Sequence, residues 1–183
     1  MGDGALVLRR KDGILLAVVD GVGHGAEAAE VRQAAEEIIE RAAGADLRSI
    51  AASCHERLKM TRGATLGLAW LDPGVPALTW LGVGTVVGAL HRAGRGSRTA
   101  AMLMPQASGA LGLRLPPLHP ATLPVAAGDT VVLATDGLDL RFIHDVPAAV
   151  HSEQQIADRL VGAHANGRDD ALALVARCTA VPT

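Results

Sequence analysis

The chain has 183 residues, the size of one compact domain and too short for two well-cored ones. Hydrophobic residues make up 49% and charged residues 20%, which excludes a disordered or charge-solvated chain. A net charge of −2, with two Trp, one Phe and no Tyr, supplies neither the field nor the stacking platforms that nucleic acid requires, and no pull toward an anionic membrane.

The opening residues, Met1 to Arg10, carry no basic region ahead of an apolar stretch, so no signal peptide is expected. Ala5 to Arg9 and Ile14 to Val19 are apolar runs separated by Arg10-Lys11-Asp12-Gly13, which predicts a hairpin with an Asp-Gly turn. Gly21, Gly23 and Gly25 follow. A helix is then expected from Ala26 to Ala43, with Val31, Ala35, Ile38 and Ala42 along one face and Glu30, Gln33, Glu37 and Arg41 opposite. Gly44 stops it, and Asp46 caps a second helix carrying Leu47, Ile50, Ala51, Cys54 and Leu58 on one side.

From Ala64 the pattern turns to strands. Ala64–Leu71, Ala77–Val83, Thr85–Arg92 and Arg98–Leu103 are short apolar stretches divided by turn signals. The Gly- and Pro-rich passage from Pro105 to Pro124 reads as loop with one short extended piece, and Thr130–Thr135 as a buried strand. Ser152 with Gln155 forms a capping box ahead of a helix bearing Ile156, Leu160 and Val161, and Ala171–Ala176 reads as the last strand. Roughly eight strands in a meander with a helix pair and a single helix do not alternate as a doubly wound sheet would. An α+β class is expected, with antiparallel sheets covered by helices. No apolar run approaches the ~20 residues of a membrane span. Two thiols, Cys54 and Cys178, without a CxxC pair indicate a reducing, cytoplasmic compartment.

The chemistry lies in aspartates at strand ends. Ile14–Val19 runs straight into Asp20-Gly21, and Thr130–Thr135 into Asp136-Gly137. Asp169-Asp170 precedes the last strand, and Asp3 stands just before the first. A carboxylate ending an apolar strand is costly unless its desolvation is offset, and converging carboxylates repel unless a cation sits between them. An all-oxygen set favours Mg²⁺ or Mn²⁺ over Zn²⁺. The competing reading makes these residues turn formers, since Asp-Gly is the commonest hairpin turn. Against it, neither Asp20 nor Asp136 is followed by a second strand at hairpin distance.

Gly21-Val22-Gly23-His24-Gly25-Ala26 also matches the dinucleotide fingerprint G-x-G-x-x-G/A. Asp20 before the first glycine would repel a pyrophosphate, and Glu40 and Arg41 are still in helix where a second strand should end in an acid. His24 reads either as a solvent-facing residue at a helix start or as a phosphate contact.

In this order the pieces resemble the metal-dependent protein phosphatases, the PPM superfamily, and within it the compact bacterial branch related to sporulation and stress-response phosphatases. The segments carrying the resemblance are Gly2-Asp3, Val19 to Gly25, Gly63-Ala64-Thr65, Leu81 to Gly84, Gly109 to Gly112, Ala134 to Gly137 and Arg168-Asp169-Asp170. The resemblance implies a single domain over 1–183, built as a sandwich of two antiparallel sheets flanked by helices. It implies two Mn²⁺ or Mg²⁺ ions. Asp20 would bridge them, the Gly21 carbonyl would add a ligand, Asp136 and Asp169 or Asp170 would hold one ion, and Asp3 would act through water. Hydrolysis of phosphoserine or phosphothreonine would then proceed by metal-activated water, with Asp20 and Asp136 catalytic. No serine sits in a G-x-S-x-G elbow, in agreement. Phosphorylated STAS-domain proteins of the stressosome are the implied partners, and a non-catalytic docking module is the rival. The chain departs from the family pattern at Val22, where eukaryotic members have histidine, and at Leu172, where Thr or Ser is common.

Overall fold

The computed structural model describes residues 1–42, 44, 46–94, 101–146 and 151–179. Ten strands form two sheets among the described residues. The first sheet contains β1 (Asp3–Arg10), β2 (Gly13–Gly21), β3 (Ala64–Asp72) and β4 (Ala77–Val83) in order, with β7 (Gln106–Ala107) and β8 (Ala121–Pro124) on β4. The second runs β10 (Ala173–Arg177), β9 (Thr130–Ala134), β5 (Val87–His91), β6 (Ala101–Leu103). Helices α1 (Ala26–Ala42) and α2 (Leu47–Leu58) cover the first sheet, and α3 (Glu153–His164) with a short 3₁₀ turn (Leu140–His144) covers the second.

Three apolar layers account for the burial. Leu15, Ala17 and Val19 of β2 point toward α1 and α2 and meet Val31, Ala35, Ile39, Ile50 and Cys54. The alternate residues Leu16 and Val18 point the other way, into the space between the sheets with Trp80, Leu90, Val131 and Leu133. Val132 and Ala134 then face α3 through Ile156 and Leu160. Strands buried on both faces read as continuous apolar runs, which is why β2 and β9 show no polar alternation. Trp80 is the largest fully buried side chain, and its indole N–H donates to the Pro105 carbonyl at 2.7 Å.

The caps follow local chemistry. Asp46 accepts from the Arg48 and Ser49 amides at 2.9 and 3.2 Å. Ser152 and Gln155 exchange the two hydrogen bonds of a capping box.

Several expectations shift in detail. The hairpin turn is Lys11-Asp12, because Gly13 already pairs with Arg10 and its backbone lies against the Trp70 ring. The centre of the α1 stripe is Ile39, with Ile38 only partly buried at its margin. The passage from Pro105 to Pro124 contributes two short strands, and β7 runs parallel to β4, so the first sheet is not wholly antiparallel. The Gly84 amide, donating to Ala107 at 2.9 Å, anchors that parallel bridge. Part of the expected strand Arg98–Leu103 and residue Ala43 lie outside the described residues. No described helix is long and apolar enough to cross a membrane.

Candidate metal centre

The topology brings the strand-end aspartates to one edge of the sandwich. Asp3 opens β1 directly opposite Asp20 at the end of β2, and Asp20 in turn pairs with Thr65 at the start of β3. In the second sheet, β9 ends at Ala134 opposite Ala173 at the start of β10, so Asp136 and the Asp169-Asp170 pair flank that junction. A hydroxyl links the sheets here. Thr135 donates to the Asp3 carboxylate at 2.6 Å and accepts from the Leu172 amide at 3.0 Å.

Burial separates the carboxylates. Asp3 is 7% exposed, Asp20 and Asp170 are half-buried, and Asp136 and Asp169 reach solvent. Burial pushes Asp20 up to about 7, reinforced by the negative charges of Asp3, Asp136 and Asp169. Asp3 is raised as well, chiefly by burial and then by Asp170 and Asp169, against the lowering effect of the Thr135 hydrogen bond. These mutual effects place Asp3, Asp20, Asp136, Asp169 and Asp170 in a single electrostatic neighbourhood. Thr65 offers Asp20 a long hydrogen bond of 3.4 Å and lies 3.3 Å from Thr85.

Two glycines permit this packing. A Cβ on Gly21 would strike the Ala28 carbonyl, and one on Gly137 would strike the backbone carbonyl of Asp170. The second contact seats the Asp136-Gly137 turn directly on the Asp169-Asp170 segment. Asn166 supports the same turn, donating through its side chain to the Asp136 carbonyl and through its amide to that of Gly137, each at 2.8 Å. His24 is exposed in the loop between β2 and α1.

The donor chemistry fits a hard divalent cation. All five groups are carboxylates, and no ion pair among the described residues engages Asp3, Asp20, Asp136 or Asp169. Among the described residues no three Asp, Glu, His or Cys side chains converge tightly enough to cage an ion unaided. Mg²⁺ suits such a loose set, because it keeps several waters and takes only one or two protein carboxylates directly. Thr135 and Asn166 escape a reading that looks for acids. The signal for Thr135 is a hydroxyl directly before Asp-Gly at the end of an otherwise apolar strand.

The sequence model of the family described as Stage II sporulation protein E (SpoIIE) matches residues 10–179. Phosphoserine phosphatase RsbX of Bacillus subtilis (strain 168) is 27% identical over 158 residues, covering 86% of this chain and 77% of that protein. Among solved structures, a chain from "The bacterial stressosome: a modular system that has been adapted to control secondary messenger signaling" is 27% identical, with a TM-score of 0.84 over 96% of this chain and 91% of that one. RsbX in complex with magnesium gives a TM-score of 0.81 at 24% identity, over 95% and 85% of the two chains. At that identity the likeness concerns the fold, which is the expected helix-flanked sandwich.

Proposed function

Because the chain belongs to the Stage II sporulation protein E (SpoIIE) family, we propose that it is a metal-dependent protein serine/threonine phosphatase, a single catalytic domain over 1–183. The observation that carries this reading is the convergence of carboxylates from both sheets on one edge, where burial and mutual repulsion hold Asp20 up to about 7. A site so short of cations is built to receive them.

Asp20 would bridge two ions with the Gly21 carbonyl beside it, Asp136 and Asp169 would hold one of them from the second sheet, and Asp3 would act through water. When bound, a pair of Mn²⁺ or Mg²⁺ ions supplies an activated water and neutralises the phosphoryl oxygens. The chain's own residues do the rest. The β1–β2 ladder sets Asp3 opposite Asp20 in register, and the Gly137 contact seats Asp136 on the Asp169-Asp170 segment. The exposure of Asp136, Asp169 and His24 leaves the edge open to a bulky phosphoprotein, with His24 available to its phosphate.

The substrate would be phosphoserine or phosphothreonine on a STAS-domain protein of a bacterial stressosome. RsbX's name as a phosphoserine phosphatase and the likeness to a stressosome structure support that choice. Two free cysteines, one buried and one partly so, suit a cytoplasmic setting. The test is hydrolysis of a phosphoserine-bearing STAS protein with Mn²⁺ and then with excess chelator, in wild type and Asp20→Asn. Metal-dependent turnover that vanishes in the variant is expected. Stable partner binding without turnover would favour the docking-module reading instead.

A further inference from the structure

The segment carrying Asp3 is tied down in an unusual way. β1 is an edge strand with a ladder on one side only, so the β1–β2 pairing cannot by itself aim the Asp3 carboxylate toward the second sheet. Two side chains from that second sheet reach across to do so. The Asp170 carboxylate accepts the Gly2 amide at 2.7 Å, and the Gly2 carbonyl accepts the Gly21 amide at 3.0 Å. One residue on, the Thr135 hydroxyl donates to Asp3 at 2.6 Å while the Leu172 amide occupies one of its lone pairs at 3.0 Å. The Thr135 amide, donating to the Leu172 carbonyl at 3.1 Å, closes this small ring. With the Leu172 amide held on one side, the hydroxyl donates to Asp3 on the other.

From this arrangement we propose that Thr135 and Asp170 are positioning residues: together they clamp the Gly2–Asp3 segment to the second sheet and so set the distance between Asp3 and Asp20. The proposal rests on the metal-dependent reading above and divides the adjacent acids by role. Asp170 spends a carboxylate oxygen on the Gly2 amide and acts through the backbone of β1. Asp169, whose own oxygen accepts the Asp170 amide at 2.8 Å, is the exposed member left to face an ion. Groups that orient ligands in this way typically change metal affinity by about 10- to 100-fold when removed.

The test is calorimetric titration of Mn²⁺ into the metal-free chain, paired with amide hydrogen exchange at Gly21 in the absence of metal. Asp170→Asn and Asp170→Ala remove the same charge, but only the asparagine keeps an acceptor for the Gly2 amide. The clamp predicts that Asp170→Asn binds Mn²⁺ about tenfold tighter than Asp170→Ala. Gly21 exchange should accelerate only in the alanine variant. Thr135→Val should weaken Mn²⁺ about tenfold, and Thr135→Ser, which keeps the hydroxyl, should restore it. Asp170 is partly exposed, so its variants keep the test intact should Thr135→Val fail to fold.

Equal losses in Asp170→Asn, Asp170→Ala and Asp169→Asn would make Asp170 a ligand and overturn the clamp. So would Gly21 exchange that is unchanged in Asp170→Ala. If the wild-type chain binds no Mn²⁺, the phosphatase reading falls, while exchange at Gly21 still decides the clamp.

Discussion

Asp3 and Asp20 stand directly opposite each other across the β1–β2 ladder, two carboxylates where a sheet normally places neutral or opposite charges. Nothing cationic among the described side chains pairs with either, and the Thr135 hydroxyl is the partner that holds Asp3. A pair arranged so is unfavourable to the bare fold and favourable to a bound cation.

Asp20→Asn separates these two effects. It removes the carboxylate proposed to bridge the ions, so Mn²⁺-dependent kcat/KM should fall on the order of 10³-fold or more, about 4 kcal/mol of transition-state stabilisation. The same change relieves the repulsion with Asp3, so the metal-free variant should melt at a higher temperature than metal-free wild type at pH 8. A lower melting temperature would mean that Asp20 serves the fold.

In the metal-free protein the contribution of Asp20 to stability should be lost as pH rises. Folded Asp20 keeps its proton up to about pH 7, whereas the unfolded chain releases it near 3.8. Across that window folded Asp20 holds a proton that the unfolded chain has released, so the melting temperature measured relative to Asp20→Asn falls from pH 4 toward 7. Saturating Mn²⁺ should cancel the decline, because the ion binds the deprotonated form and its affinity climbs over the same range. Thermal melts with Mn²⁺ and with chelator at several pH values check both halves.

His91 is a separate acid liability. It is 1% exposed at the end of β5, both ring nitrogens are without a hydrogen-bond partner among the described residues, and burial, with His144 nearby, lowers it to about 4. The unfolded chain takes this proton near 6.5, so the contribution of His91 to stability drops as pH falls from 6.5 through 4. His91→Phe should be more stable by about 1 kcal/mol at pH 7, since unmade buried hydrogen bonds cost that much or more. Its margin over wild type should widen toward pH 4.5 in urea titrations.

Trp80 holds the two sheets together. Trp80→Ala would empty the largest buried side-chain volume and strand the Pro105 carbonyl, costing about 3–5 kcal/mol. Chemical denaturation should show that loss, with Mn²⁺ affinity at the distant edge altered far less than by Asp20→Asn.

Much of this was legible in the chain. The run into Asp20-Gly21, the run into Asp136-Gly137, the Asp46 cap and the Ser152–Gln155 box are local signals, and each sits where its chemistry requires. The readings that slipped depended on a partner far along the chain. Gly13 starts a strand because Trp70 lies over it, and β7 exists because it leans on β4. Ile39 displaces Ile38 at the centre of the α1 stripe because the sheet beneath selects the face. Thr135 passed as one more β-branched strand residue, since nothing nearby reveals that its hydroxyl meets Asp3, 132 positions earlier.

Local pattern alone determined the main strands and helices and which strand ends carry carboxylates, because periodicity and capping act over a few residues. Only the tertiary structure decided that Asp3 faces Asp20 in register, that both sheets deliver their acids to the same edge, and that Asp170 holds Gly2. Those relationships are set by strand order and by the way two twisted sheets meet, and neither has a local trace in the chain.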